Sequence, residues 1–228
     1  MSERLGVAII GTGTIANAHM RSLEHHAPAH VVAVYDVLHD RAEAFAQKWN
    51  IGVVASDLDK VLSRSDIDAV IVSTPPVAHK GPTIAALEAG KHVLCEKPFA
   101  FDPAEAEAMT ETAERVGKHL AVCSARQRVW AASRKAQELA STGALGDVYH
   151  VRSSAFRFRG RPGIDILRDV HWFIDYARAG GGALIDIGVY QIDALLWILG
   201  NPKVTSVDRK STRLNSSHEW ISRMPSSA

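Results

Sequence analysis

The 228-residue sequence is poor in cysteine, nearly balanced in charge and without a long apolar run. Its two cysteines, Cys95 and Cys123, form no CxxC pair and lie in apolar stretches, so we expect buried free thiols rather than a disulfide. A net charge of +1 gives no electrostatic attraction to nucleic acid or to an anionic membrane. No segment approaches the roughly 18 apolar residues of a membrane span, and no signal-peptide pattern opens the chain. We therefore expect neither a nucleic-acid nor a membrane partner, and a cytoplasmic location.

The last 21 residues, 208–228, differ from everything before them. They are rich in serine and show neither a helix nor a strand period. Residues 208–218, DRKSTRLNSSH, match the translation of a common DNA-sequencing adapter, and residues 219–228 resemble a short index followed by the far end of that adapter. We therefore expect a non-native tail from adapter read-through, with the native sequence ending near Val207. A disordered tail or an expression scar is the alternative.

Short apolar runs alternate with helical patterns over the first 124 residues. The runs are typical of buried parallel strands because they lack the alternation of a half-exposed sheet. They cover residues 5–10, 30–35, 53–55, 69–73, 92–95 and 119–124. This α/β order predicts a Rossmann domain, a doubly wound parallel sheet, over residues 1–124.

The pattern changes after residue 124. A helix is predicted over 131–141 and an apolar helix over 183–199. Alternating residues predict a half-exposed strand over 148–158, and a further strand starts at 203–207. Two strands make a marginal sheet. We therefore expect an incomplete α/β domain over residues 125–207, in a chain that is truncated and inactive by itself.

A glycine turn with the pattern GxGxxA follows the first strand and opens the first helix. Gly11 permits the tight turn, Gly13 lets a pyrophosphate approach the backbone, and Ala16 allows close helix–strand packing. Asp36 ends the second strand, where a carboxylate accepts hydrogen bonds from a ribose and repels a 2′-phosphate; a plain turn residue is the alternative. We therefore predict a dinucleotide cofactor, with NAD favoured and NADP possible. The predicted cofactor residues here are Gly11, Thr12, Gly13, Thr14, Ile15 and Asp36.

Two further motifs carry groups suited to proton chemistry. The tripeptide Glu96-Lys97-Pro98 ends a strand, where a lysine can present a positive charge or a proton to a substrate; a surface turn is the alternative. In the predicted helix over 183–199, Asp186, Tyr190 and Asp193 share one face at spacings of four and three. Satisfied polar groups in a core are the alternative there. No motif predicts a metal site.

Three segments together resemble the Gfo/Idh/MocA oxidoreductases. They are GTGTIA from Gly11, AALEAGKHVLCEKP from Ala85 and GGGALIDIGVYQID from Gly180, in this order. The resemblance, over residues 4 to about 207, implies a Rossmann domain followed by an α/β domain whose open antiparallel sheet often forms an oligomer interface. We therefore expect a homo-oligomer for the full-length form. It also implies hydride transfer between nicotinamide and a sugar, cyclitol or similar polyol.

The resemblance also implies roles for individual residues. Lys97 matches the lysine that assists proton transfer, and Asp186 matches the aspartate of a D-x-x-x-H/Y pattern. Tyr190 stands where many members have histidine, which resembles the glucose–fructose oxidoreductase and dihydrodiol dehydrogenase branches and weakens an inositol dehydrogenase assignment. A phenol can act as general acid or base beside a lysine.

Other positions match residues around the cofactor. Thr74, Pro75 and His79 match a loop that lines it, although His79 can equally be a surface histidine. Glu96, Lys97 and Pro98 complete the predicted cofactor residues. Trp172 falls where members carry a tryptophan near the nicotinamide, but Phe173 replaces the arginine that often follows. Trp172 and Asp193 are the predicted substrate residues.

The sequence thus predicts an NAD(P)-dependent dehydrogenase or reductase. Two alternatives stay open. One is a non-catalytic dinucleotide-binding sensor or regulator, and the other is an NAD-dependent glycosidase of the same family. The substrate itself cannot be read from these motifs.

Overall fold

The computed structural model describes residues 4–26, 28–155, 160–167, 170–179, 182–208, 210–212 and 221–223. The chain divides into two compact units, Met1–Cys123 and Ser124–Ala228. Within the described residues, no helix combines the length and the apolarity that a membrane crossing requires.

Strands and helices alternate through the first unit. The strands are Leu5–Ile10 (β1), Ala29–Tyr35 (β2), Val53–Val54 (β3), Ala69–Val72 (β4), His92–Cys95 (β5) and Leu120–Val122 (β6). The helices are Thr14–His26 (α1), His39–Trp49 (α2), Leu58–Leu62 (α3), Lys80–Glu88 (α4) and Pro103–Val116 (α5), with a 3-10 turn at Pro76–Ala78.

The six strands form one parallel sheet in the order β3-β2-β1-β4-β5-β6. The chain builds outward from β1 in one direction and then from β4 in the other, so strand order reverses between these two strands. The predicted Rossmann fold is confirmed. Ligands of this fold bind at such a reversal, beyond the carboxyl ends of the strands.

Both faces of the sheet are buried. Ala8, Ile10 and Val72 pack in the core on one face, while Ile9 and Ile71 pack in the core on the other. The strands read as continuous apolar runs because helices cover both faces. In α1, Ala16 and Met20 are buried against the sheet, whereas Ile15 is 42% exposed.

Local signals set the helix boundaries. Asp102 accepts a hydrogen bond from the backbone N–H of Glu105 at 2.8 Å and so caps the start of α5, as its position before a proline predicts. Gly117 ends the same helix with φ of 65°, a left-handed conformation that glycine adopts at low cost.

The second unit contains mostly helix. After a 3-10 segment at Cys123–Val129, which begins at the unit boundary, come Ala131–Ser141 (α6), a 3-10 turn at His171–Ile174 and Tyr176–Ala179 (α7). A π-helical turn at Leu184–Gly188 then leads into Val189–Ile198 (α8). In the tail, Lys210–Thr212 (β7) pairs antiparallel with Ile221–Arg223 (β8).

The two strands predicted for the second domain do not form in the described residues. Residues 148–155 and 203–207 have no assigned strand, and 156–158 lie outside the description. A strand is held by ladder hydrogen bonds to a neighbour, and the described residues of this unit provide no partner for either segment. The predicted domain boundaries and the origin of the tail remain predictions.

Candidate cofactor and catalytic site

The glycine turn is fixed by the two strands on either side of the strand-order reversal. The backbone N–H of Gly11 donates to the carbonyl of Tyr35 at 2.8 Å, and the hydroxyl of Ser73 donates to the carbonyl of Gly11 at 2.5 Å. Gly11 has φ of +89°, and a Cβ built there would lie 2.8 Å from backbone atoms of Ser73 and Thr74. Only glycine fits this position.

The surroundings of Gly13 are open, whereas those of Gly11 are crowded. A Cβ built on Gly13 meets no atom within 4 Å, so the backbone faces open space at the start of α1. Thr14 and Ile15, the first residues of that helix, are exposed. Free N–H groups and the positive end of the helix dipole make such a terminus suited to a phosphate. The turn therefore fits a pyrophosphate group where a side chain would otherwise lie.

Asp36 follows β2, and its buried carboxylate holds the glycine turn. One oxygen accepts from the backbone N–H of Thr12 at 2.7 Å and from the Thr12 hydroxyl at 3.0 Å, and the other accepts from the N–H of Leu38 at 2.9 Å. The Arg41 guanidinium contacts both oxygens at 2.6 to 2.9 Å. Burial by itself raises the pKa of Asp36, but these hydrogen bonds outweigh it and the pKa lies below its ordinary value. Asp36 is therefore ionised. The hydrogen-bond donors that contact its carboxylate here are all groups of the protein itself.

The loop after β4 is organised around a buried histidine. The Nε2 atom of His79 lies 2.8 Å from the carbonyl oxygen of Thr74, and its Nδ1 lies 3.3 Å from that of Phe99. Burial lowers the pKa of His79 although these carbonyls favour the charged ring. His79 is 0% exposed, so the surface alternative for this residue is wrong. Its position is structural support for the loop that carries Thr74 and Pro75, which are themselves half-buried.

The Glu96-Lys97-Pro98 segment leaves β5 at the same edge of the sheet. Lys97 is half-buried, Pro98 is buried, and the peptide bond between them is cis. The Glu96 carboxylate accepts from the backbone N–H of Lys97 at 3.0 Å and lies 2.8 Å from Nε2 of His19 on α1. Burial raises the pKa of Glu96, but the hydrogen bonds from His19, Lys97 and Cys123 bring it below its ordinary value.

In the second unit, Tyr190 is buried at the start of α8. The Arg126 guanidinium carbon lies 3.9 Å from the centroid of the Tyr190 ring, which is a cation–π distance. Asp186 lies in the π-helical turn, four residues earlier. A regular helix was predicted here, and the wider π turn changes the angular offset between Asp186 and Tyr190. Such turns occur often at functional sites.

The structure describes the side chain of only one of the two predicted substrate residues. Asp193 accepts two hydrogen bonds from the Arg128 guanidinium, at 2.8 and 2.7 Å, so its carboxylate has a partner within this unit. Trp172 lies in the 3-10 turn His171–Ile174, but its side chain, like that of Phe173, lies outside the description. Gly180 and Gly181 of the third motif also lie outside the described residues.

The first unit thus brings the glycine turn, Asp36, the Thr74 loop and Lys97 to one edge of one sheet. Motif reasoning missed five residues that hold this edge or the second-unit helix, because each is a common residue type outside any motif. These residues are His19, Arg41, Ser73, Arg126 and Arg128. Arg41 alone carried a sequence signal, because it is an opposite charge five residues after Asp36 and in the first turn of α2.

This fold and this edge define a dinucleotide-binding Rossmann domain. Residues 5–124 match the oxidoreductase family with an NAD-binding Rossmann fold, and residues 133–219 match the GFO/IDH/MocA C-terminal domain. The chain therefore belongs to the Gfo/Idh/MocA oxidoreductase family, as its three motifs predicted.

Individual relatives agree with this assignment. The chain is 36% identical over 211 residues to the D-glucoside 3-dehydrogenase of Escherichia coli, covering 92% of this chain and 58% of that enzyme. It is 32% identical to the mouse trans-1,2-dihydrobenzene-1,2-diol dehydrogenase over 86% of this chain and 56% of that one. The crystal structure of GenD2 from gentamicin A biosynthesis in complex with NAD superposes with a TM-score of 0.78 at 28% identity, over 95% of this chain and 59% of that one. The chain thus spans less than two thirds of each of these proteins.

Proposed function

We propose that this protein transfers a hydride between a nicotinamide dinucleotide, NAD in preference to NADP, and a carbon of a sugar, cyclitol or related polyol. The observation that carries the proposal is the position of Lys97. It follows β5 at the edge of the sheet where Gly13 leaves room for a pyrophosphate, so a substrate hydroxyl beside the cofactor comes within reach of an ammonium group.

The bound cofactor would supply the hydride acceptor or donor. The chain's own residues then have to move one proton to or from the substrate oxygen. We assign this transfer to Lys97 of the first unit, and the resemblance implies that Tyr190 and Asp186 of the second unit take part in it. In the second unit the Arg126 guanidinium carbon lies 3.9 Å from the centroid of the Tyr190 ring, a cation–π contact that holds the ring in place.

The sugar or polyol substrate class is inferred from relatives. The E. coli relative is named for a D-glucoside, the mouse relative for a dihydrodiol, and a Streptomyces avermitilis relative, 30% identical, for inositol. All three names describe vicinal hydroxyl compounds. A homo-oligomeric full-length form is part of this proposal.

Turnover tests the assignment of roles. Sequencing the source DNA past codon 207 establishes how the reading frame continues, and the protein that it encodes is assayed with NAD+, NADP+ and a panel of sugars and polyols by absorbance of the reduced nicotinamide. Lys97→Ala is expected to lower kcat at least about 100-fold, because general acid–base groups contribute at least that much. Lys97→Arg keeps the charge but cannot release a proton near neutral pH, so it should be nearly as slow.

Lys80→Ala is the matched control, since Lys80 is an exposed lysine at the start of α4. It should retain the parent rate. NAD+ binding without turnover on any compound would favour a sensor over an enzyme. Hydrolysis of a glycoside without net reduction of NAD+ would favour a glycosidase. A Lys97→Ala variant with the parent kcat would overturn the role of Lys97.

A further inference from the structure

Three potential metal ligands meet at the carboxyl edge of the first-unit sheet. Glu96 follows β5 and Cys123 follows β6, and the residues just before them, Cys95 and Val122, are register partners on these neighbouring parallel strands. His19 reaches the same place from α1. One ligand atom from each of the three side chains lies within 4.8 Å of the others, and His19 Nε2 is 2.8 Å from Glu96 Oε1.

The three side chains are the donor types that zinc uses in proteins. Tetrahedral zinc binds histidine nitrogen and carboxylate oxygen at about 2.0 to 2.2 Å and thiolate sulfur at about 2.3 Å, which places the ligand atoms roughly 3.4 to 3.7 Å apart. A side-chain adjustment of about 1 Å brings His19, Glu96 and Cys123 to that spacing. Three protein ligands with a fourth position for water is a common zinc arrangement.

We propose that His19, Glu96 and Cys123 form a binding site for a single Zn²⁺ ion. Glu96 supplies a carboxylate and Cys123 a thiolate, so the two ligand charges balance the charge of the ion. His19 supplies a neutral ring nitrogen. Binding releases the Cys123 thiol proton and replaces the His19–Glu96 hydrogen bond with two bonds to the metal.

Two of the three proposed ligands are largely buried. Glu96 is 7% exposed, and the His19 side chain is 16% exposed. A buried carboxylate is held by nearby positive charge or by hydrogen bonds, and a divalent cation provides that charge directly.

The other cysteine provides a matched control. Cys95 is 0% exposed and packs in the hydrophobic core on one face of the sheet. The hydroxyl of Thr83 lies 3.8 Å from its sulfur, on the core side of β5. Cys95 is therefore a thiol that should not bind metal, and these are the only two cysteines in the sequence.

Cobalt is the probe for this site, because a thiolate bound to Co²⁺ gives a charge-transfer band in the near ultraviolet. The reduced 228-residue chain is titrated with Co²⁺, and Zn²⁺ is then added to displace it. One band that saturates at one Co²⁺ per chain and disappears with Zn²⁺ is expected. Cys95→Ala should keep this band, which assigns it to Cys123 without any change at the site.

Two variants then test the site itself. Cys123→Ser should abolish the cobalt band. Both Cys123→Ser and His19→Gln should lower the affinity for Zn²⁺ at least about 100-fold, since even changes to residues behind the ligands cost up to that much. Competition with a chromophoric chelator measures this affinity. Circular dichroism checks that each variant folds, and if one does not, the other variant and Cys95→Ala decide. Absence of the band in the parent chain, or loss of it in Cys95→Ala, overturns the proposal. So does an unchanged Zn²⁺ affinity in a folded site variant.

Discussion

Arg41 holds the carboxylate of Asp36 in a two-pronged contact, with Nη2 2.6 Å from one oxygen and Nε 2.9 Å from the other. The Asp36 side chain is 1% exposed, whereas that of Arg41 is 46% exposed. The acid that would select the cofactor ribose is thus already neutralised by an arginine that can move into solvent. We therefore predict that Arg41 influences the choice between NAD and NADP.

Removing Arg41 should sharpen the preference for NAD+. In Arg41→Ala, Asp36 regains free lone pairs for ribose hydroxyls, and a 2′-phosphate meets an unneutralised carboxylate. We expect NADP+ to bind about tenfold more weakly and NAD+ to bind no more weakly than before, a change of about 1.4 kcal/mol for the phosphate. Isothermal titration of the 228-residue chain with both cofactors measures this ratio.

Arg64→Ala is the control for the loss of a positive charge, because Arg64 pairs with Asp66 in a loop away from the glycine turn. Its ratio of cofactor affinities should match the parent. An unchanged ratio in Arg41→Ala would show that Arg41 has no part in cofactor choice.

The two glycines of the turn should respond in opposite ways to substitution. Gly13→Val places a side chain in open space, so the free energy of unfolding should stay within about 0.5 kcal/mol while NAD+ affinity falls at least about tenfold. Gly11→Ala forces a Cβ against the Ser73–Thr74 backbone at positive φ and should cost about 2 kcal/mol or more. Urea denaturation and cofactor titration measure both quantities. A Gly13→Val chain that bound NAD+ with the parent affinity would show that the pyrophosphate does not bind at this turn.

His79 should lower the free energy of unfolding in mild acid. Burial holds its pKa below the value of about 6.5 in the unfolded chain, so the unfolded state binds more protons between these two values. Stability from this residue is fully present above about pH 6.5 and is lost as pH falls toward the folded pKa. His79→Gln keeps an N–H donor for the Thr74 carbonyl but does not titrate.

The stability of His79→Gln should therefore change less between pH 6.5 and 5 than that of the parent, by up to about 1.4 kcal/mol per pH unit. Urea denaturation at several pH values gives the slopes. His150→Gln, a change at an exposed histidine of the second unit, should leave the slope as it is. Equal slopes for His79→Gln and the parent would contradict the assignment.

The Arg128–Asp193 pair should be energetically coupled. Its two parallel hydrogen bonds, and the 16% exposure of the Asp193 side chain, predict a coupling of about 1 kcal/mol in a double-mutant cycle with Arg128→Gln and Asp193→Asn. The exposed pair Lys135–Glu138 should give less than about 0.5 kcal/mol in the same experiment. Absence of coupling would show that Arg128 does not hold Asp193, and the carboxylate would then be available for the substrate role that the sequence predicted.

The parts of the fold that follow from local pattern were predictable. The alternation of apolar runs and helical periods identified all six strands of the first unit, and the motif at Gly11 to Ala16 located the turn between β1 and α1. The strands predicted over 148–158 and 203–207 did not form in the described residues, because a strand depends on a partner that lies elsewhere in the chain. The π turn before Tyr190 also had no local signal, since its residues suit a regular helix equally well.

The sequence by itself determined the Rossmann domain, the glycine turn and the identity of the groups available for chemistry, because each depends on residue type and short-range spacing. Only the tertiary structure decided which partners these groups have. It placed Arg41 on Asp36, enclosed His79 between two backbone carbonyls and brought His19, Glu96 and Cys123 together from positions up to 104 residues apart. The three-residue cluster arises from sheet order and helix packing, which no short-range pattern encodes. The Asp36–Arg41 and Thr74–His79 contacts join residues five positions apart, and the fold decides them by burying Asp36 and His79.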